Sequence, residues 1–197
     1  MSEATLDRRA VVRALLEARG ELLVVAGLGS SAWDCTAAGD HPLTFPLWGA
    51  MGSACMIGLG LALAQPRRRV LVVTGDGEML MGLGSLATIA AQRPANLALV
   101  VLDNERYGET GMQESHTAHG TDLAGVALAC GFPEAKVIRA QAQLPSMCSG
   151  VRQTLGPLLY QVKVKRDPVA LVLPPRDGAY LKHRFREALL GRKAATE

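Results

Sequence analysis

The sequence predicts an α/β domain: a doubly wound, mostly parallel sheet with helices on both faces. Three observations predict it. Short all-apolar runs recur along the 197 residues, and the most prominent stop at glycine or at Asp-Asn. Segments with helical periodicity lie between them. Hydrophobic residues make up 49% of the chain and aromatics only 4%, so aliphatic side chains must fill the core. That combination suits strands buried on both faces and covered by helices.

The elements follow in order. Residues 6–19 read as a helix, with Leu6, Val11, Val12, Leu15 and Leu16 at helical spacing. The run 22–26 is a strand ending at Gly27. Residues 53–64 are small and apolar, as in a helix pressed between layers. Residues 70–74 form a second strand, stopped by Gly75. A helix over 82–92 precedes a third strand, 97–102, stopped by Asp103-Asn104. Beyond it the sequence predicts a helix over 121–131, a short strand at 136–138 and a helix over 142–154. Strands at 158–164 and 169–173 and an amphipathic helix over 178–190 complete the pattern. Residues 1–190 read as one domain and 191–197 as a flexible tail.

Composition narrows the function. The net charge is +3, but Arg67-Arg68-Arg69 is the only basic run, too little for a nucleic-acid footprint. No stretch reaches the ~18 apolar residues of a membrane span, and the N-terminus has no signal-peptide core. Cys35, Cys55, Cys130 and Cys148 form no C-x-x-C pair, which argues against zinc and iron–sulfur sites. Reduced thiols and a cytoplasmic location are expected.

Ligands of such sheets bind beyond the carboxyl ends of the strands. The loops 27–31, 75–78 and 103–108 therefore share one rim. The first, Gly27-Leu28-Gly29-Ser30-Ser31-Ala32, fits the G-x-G-x-x-A dinucleotide pattern, yet 46–54 lacks the acidic residue a ribose needs. An anion site at a helix start, using Ser30 and Ser31, is the more economical reading; a plain glycine turn is the other. In Gly75-Asp76-Gly77 two glycines allow close backbone approach and Asp76 can aim at a cation. Asn104 follows a strand directly, and its amide oxygen is a hard ligand of the kind Mg²⁺ accepts. Asp76 and Asn104 would stand at neighbouring strand tips and share one ion.

Gly-Asp-Gly followed by an Asn at the next strand end resembles the motif of thiamine diphosphate enzymes. Gly29-Ser30-Ser31-Ala32-Trp33 resembles their diphosphate loop, and Gly49-Ala50-Met51-Gly52 their glycine-flanked aliphatic segment. Tyr107-Gly108-Glu109-Thr110-Gly111-Met112-Gln113 is similar to a stretch of the small split decarboxylases acting on sulfopyruvate or phosphonopyruvate. The resemblance spans roughly residues 20–175 and implies a thiamine diphosphate-binding fold. It further implies that Asp76, Asn104 and the Arg106 carbonyl hold Mg²⁺. Gly29, Ser30, Ser31, Gly75, Gly77, Tyr107 and Gly108 would line the cofactor, with Gly49 and Met51 at its pyrimidine side and Met51 as the wedge that folds it. Glu78 stands where relatives have Ser or Ala, so it should turn away from the diphosphate, toward a partner chain. Glu109 and His116 are the acid–base candidates.

The pyrimidine-binding half has no room in this chain. The resemblance therefore implies a separate subunit of similar size, an assembly of two plus two chains with self-association, and a junction near residues 53–64. The expected reaction is decarboxylation of a small 2-oxo acid, a 3-substituted pyruvate, to an aldehyde and CO₂. An acetolactate synthase-like carboligase subunit and a non-catalytic thiamine diphosphate-binding module are the alternatives.

Overall fold

The computed structural model describes residues 6–195. Asp7 caps α1 (Arg8–Leu16) by accepting from the Ala10 N–H at 2.7 Å. Leu6, expected inside that helix, lies ahead of it and forms a parallel bridge to Val164. Next come β1 (Leu23–Ala26), α2 (Ser30–Ala37), β2 (Thr44–Pro46) and α3 (Ala54–Ala64). β3 (Val70–Gly75) runs straight into α4 (Asp76–Met81), followed by α5 (Ser85–Gln92) and β4 (Leu97–Asp103). A two-stranded hairpin, β5 (Arg106–Tyr107) and β6 (Gln113–Glu114), stands on the rim. Then follow α6 (Leu123–Cys130), β7 (Glu134–Ile138), α7 (Leu144–Gln153), β8 (Leu158–Lys163) and α8 (Gly178–Leu190).

The six long-range strands form one parallel sheet in the order β2-β1-β3-β4-β8-β7. Alternate residues feed two cores, as the period-2 geometry of a strand demands. Val24, Leu71, Val100 and Tyr160 pack with Val12, Ala32 and Met147 of α1, α2 and α7. Their neighbours Val25, Val72, Leu99 and Leu159 pack with Leu59, Ile89 and Ala127 of α3, α5 and α6. The doubly wound α/β class is as expected. The order reverses between β1 and β3, so the crevice of the fold opens over their carboxyl ends.

Three local readings need correction. The helix expected over 82–92 begins only at Ser85, as α5, and a short helix that was not expected, α4, ends at Met81 ahead of a break at residues 82–84. A Cβ on Gly82 would lie 2.1 Å from the Gly52 carbonyl oxygen, so the close contact of these two backbones accounts for the glycine there. No strand forms at 169–173. β8 is already paired on both sides, by β4 and β7, and the segment crosses the surface with Leu171 exposed. β2 is missing from the sequence-based list because three residues ending in proline carry no periodicity. Within the expected tail, Gly191–Ala195 form a 3-10 turn, and Arg186 donates to the Ala194 carbonyl at 3.3 Å; residues 196–197 lie outside the described residues.

All four cysteines are free. Among the described residues no helix is long and apolar enough to cross a membrane.

Candidate active site

A cavity of about 340 Å³ opens at the crevice. Leu28, Ser30, Met51, Gly75, Asp76 and Gly77 line it, together with Asn104, Arg106, Tyr107, Gly108 and Glu109. The three rim loops and the Met51 segment therefore meet at one place. Gly29, Ser31, Gly49 and His116 are outside the lining. Gly49 is exposed, Ser31 is buried with its Oγ unpartnered, and the exposed His116 meets the Tyr107 hydroxyl through Nδ1 at 3.2 Å.

Asp76 is the first residue of α4, one position beyond Gly75, which pairs with Leu102 of β4. It is buried, and Ser115 donates to its Oδ2 through a very short bond, with the Thr117 hydroxyl 3.2 Å away sharing its single proton between Asp76 and the nearer Asp103. Burial, reinforced by the charge of Asp103, pushes its carboxyl up from 3.8 to about 6 despite those donors. Asp103, the last residue of β4, is equally buried but fully served. Thr117 donates to it at 2.7 Å and Gln161 at 2.6 Å, the Glu105 N–H at 3.0 Å, and the Lys163 ammonium lies 2.7 Å away.

Asn104 follows Asp103 onto the rim. Its Oδ1 accepts from the Arg106 N–H at 3.0 Å, which leaves one lone pair of that oxygen uncommitted. This turn forces Glu105 to φ 61, a left-handed conformation that non-glycine residues rarely adopt. Ala50, beside Met51, and Met112, in the hairpin, are also left-handed, at φ 58 and 63. Three of the five such residues described thus flank the cavity, where backbone strain tends to collect.

Gly77 and Gly29 are required by their neighbours. A Cβ on Gly77 would lie 2.6 Å from the Tyr107 ring and 3.6 Å from Met51 Cε. At Gly29, φ is 73, and a Cβ would lie 2.1 Å from Glu109 Oε1. The Glu109 carboxylate therefore rests against the loop where α2 begins. Glu78 corrects an expectation: it does not turn toward a partner chain but lies buried under Gly27, taking a hydrogen bond from Thr74 at 2.7 Å. Burial raises its carboxyl, offset in part by Thr74 and by the nearby N–H groups of Ala54, Gly52 and Leu28. None of the three completes a hydrogen bond to Oε1.

Sequence reasoning passed over Ser115 and Thr117, although they bracket His116. Their i, i+2 spacing around an exposed residue is the signal that was available: one hydroxyl pair facing in, one imidazole facing out. It also missed Arg8 and the 164–169 segment, which line the cavity from elements not linked to the motifs.

Comparison with known proteins places these features in a family. Residues 29–162 match the model of the thiamine pyrophosphate enzyme, C-terminal TPP binding domain. The chain is 40% identical over 172 residues to sulfopyruvate decarboxylase subunit beta of Methanothermobacter thermautotrophicus, covering 86% of this chain and 88% of that one. It is 37% identical over 179 residues to phosphonopyruvate decarboxylase of Streptomyces hygroscopicus, covering 90% of this chain but only 44% of that longer protein. Benzoylformate decarboxylase from Polynucleobacter necessarius shares the fold, with a TM-score of 0.73 at 20% identity over 86% of this chain and 36% of that one. The chain belongs to the family of thiamine pyrophosphate enzymes, through their C-terminal TPP binding domain.

Proposed function

We propose that this chain is the diphosphate- and Mg²⁺-binding subunit of a two-subunit decarboxylase acting on a pyruvate with an acidic 3-substituent. The observation that carries it is Asp76. It is a buried carboxylate with no cationic side chain paired to it among the described residues, just beyond the tip of β3, in a cavity it shares with Asn104. Such a group is costly to ionise alone and favourable to ionise against a cation. The donor set fits Mg²⁺: a carboxylate, an amide oxygen with a free lone pair, and the Arg106 carbonyl as the proposed third ligand, the remaining positions falling to phosphate oxygens and water.

Each residue then has a task. Asp76 and Asn104 grip the ion, and Ser115 and Thr117 hold Asp76 in place. Gly75, Gly77 and Ser30 offer a small-residue floor to the diphosphate, with Gly29 and Ser31 behind it. Met51 stands under the ring system, with Tyr107 and Gly108 closing the side. Leu28 and Met112 keep the walls dry. Bound there, the cofactor would supply the electron sink that lets a 2-oxo acid lose CO₂. Of the two acid–base candidates, Glu109 lines the cavity and is the better placed to deliver a proton; His116 reaches it only through Tyr107.

The pyrimidine-binding chain is proposed as a separate partner because the sulfopyruvate decarboxylase relative is itself described as a beta subunit, and the match to it covers most of both chains. On α3, Met56, Gly60 and Leu63 recur on one exposed face, an apolar strip that suits a subunit contact. The test is co-expression with a candidate partner, followed by assay of sulfopyruvate and phosphonopyruvate with Mg²⁺ and thiamine diphosphate. CO₂ and free aldehyde are the expected products. A carboligated product, or cofactor binding without turnover in every pairing, would replace this function with the carboligase or the binding module.

A further inference from the structure

One wall of the cavity is built from outside the span that matches the family, from the start of α1 and the chain just after β8. Three contacts tie these pieces together. Leu6 and Val164 form a bridge, the Lys165 N–H donates to the Leu6 carbonyl at 2.8 Å, and Arg9 donates to the Ala170 carbonyl at 2.8 Å. Arg9 Nε also donates to Asp34 of α2 at 3.2 Å, so the wall is anchored to the helix that follows the Ser30 loop.

Arg8 points from this wall into the cavity. Its side chain is only 12% exposed, and its Nε lies 3.2 Å from Oδ2 of the fully buried Asp34. That pairing is ionic rather than hydrogen-bonded: both Nε and Oδ2 are without a hydrogen-bond partner. Among the described residues no acceptor takes a hydrogen bond from the guanidinium. The other cavity cations differ. Arg106 is bound to Glu114 at 3.0 Å and Arg166 to Glu105, while Lys165 is exposed at the rim.

A guanidinium carries five N–H donors in a fixed fork that matches an oxyanion. Arg8 Nε is a buried donor turned to Asp34, and no acceptor among the described residues takes a hydrogen bond from the rest of the fork, which leaves its terminal N–H groups available to an oxyanion in the cavity that Arg8 lines. Asp34 lies one helical turn beyond Ser30 on α2, which places Arg8 beside the same end of the cavity as the Ser30 hydroxyl.

We propose that Arg8 is a binding residue for the terminal phosphate of a diphosphate ligand, which on the function proposed above is thiamine diphosphate. Asp34 and Arg9 are positioning residues that hold Arg8 at the cavity wall. The site is built by the chain's own ends, and it adds a charge-matched clamp opposite the ion held by Asp76.

The experiment is a titration of the full chain with Mg²⁺ and three probes: thiamine diphosphate, thiamine monophosphate and inorganic pyrophosphate. Quenching of Trp33, which lines the cavity, reports binding in a Trp48→Phe background. Arg8→Gln should weaken the diphosphate and pyrophosphate roughly tenfold to a hundredfold, with the monophosphate changed by less than about threefold. If Arg8→Gln does not fold, Arg8→Lys keeps the charge but loses the fork, and a loss of about fivefold is expected. Unchanged pyrophosphate affinity in a folded variant overturns the proposal, as does an equal loss for all three probes. Arg8-dependent binding of pyrophosphate by a chain that ignores thiamine diphosphate would leave the clamp standing and sink the proposed function instead.

Discussion

Two aspartates end neighbouring strands of this sheet and live opposite lives. Asp103, at the tip of β4, is surrounded by Lys163, Gln161, Thr117 and a backbone N–H; the protein has neutralised it. Asp76, just beyond the tip of β3, has two hydroxyls on one oxygen and its own backbone N–H, and no cationic side chain among the described residues. The two share Thr117, so they are equally buried and nearly equally placed. The difference teaches that burial alone does not mark a ligand-binding carboxylate. What marks it is burial without a counter-charge, beside a cavity.

The comparison breaks most sharply by mutation. Asp76→Asn should abolish Mg²⁺-dependent cofactor binding, a loss of at least about a thousandfold, since even groups behind a ligand cost about 10- to 100-fold. Its metal-free fold should remain, because an unpaired buried charge is removed. Calorimetry and thermal unfolding check both halves; retained binding would mean the ion is seated elsewhere. Asp103→Asn should do the reverse. It takes from the buried Lys163 one of its two carboxylate partners, leaving Glu105 at 2.9 Å, and weakens the hydrogen bonds from Gln161 and Thr117, so it should cost about 2 kcal/mol in denaturant unfolding. A loss below about 1 kcal/mol would make the two tips equivalent.

A smaller effect is expected with pH. Asp76 has its folded-state carboxyl raised from 3.8 to about 6. The folded state therefore holds its proton more tightly than the unfolded chain. The associated stability is full at low pH and lost as pH rises through about 6. The metal-free protein should weaken by on the order of 2 kcal/mol between pH 4 and 7 from this group alone, measured as the difference from Asp76→Asn over that range. Identical profiles for the two forms would remove the reason for calling Asp76 uncompensated. The smallest effect concerns Glu109, whose carboxylate lies against Gly29. An anion there repels a diphosphate, so Glu109→Gln should tighten thiamine diphosphate by about threefold at low salt. Weaker binding would mean that Glu109 assists the cofactor rather than competing with it.

Much of this was legible in the sequence because strong strands announce their own ends. Val70 to Thr74 and Leu97 to Leu102 are apolar on both faces, so Gly75-Asp76 and Asp103-Asn104 had to emerge on the rim. The proposed ion seat rests on that placement. What was hidden depended on side-chain direction within loops. Residues 113–119 carry no periodicity, and the histidines drew notice while the serine and threonine beside them turned inward. The extended run 169–173 has strand composition, but the sheet had no free position for it next to β8. Glu78 looked unsuited to a diphosphate site; only the tertiary placement of Gly27 above it reveals the cleft that takes its carboxylate. Arg8 was illegible because its meaning comes from Asp34, 26 residues away on another helix.

The short helix α4 has a mechanical consequence. Asp76 forms its head, and at its foot the chain presses backbone to backbone on Gly52, the neighbour of Met51. Six residues of helix are a strut about 9 Å long. The domain therefore carries an internal caliper, with one jaw at the proposed cation seat and the other on the Gly52 backbone beside Met51, and their spacing is not adjustable by side-chain rotation. A methyl group added at Gly82 would open the caliper from a position far from either jaw, and ligands of the wrong length would be rejected by geometry before charge had any say.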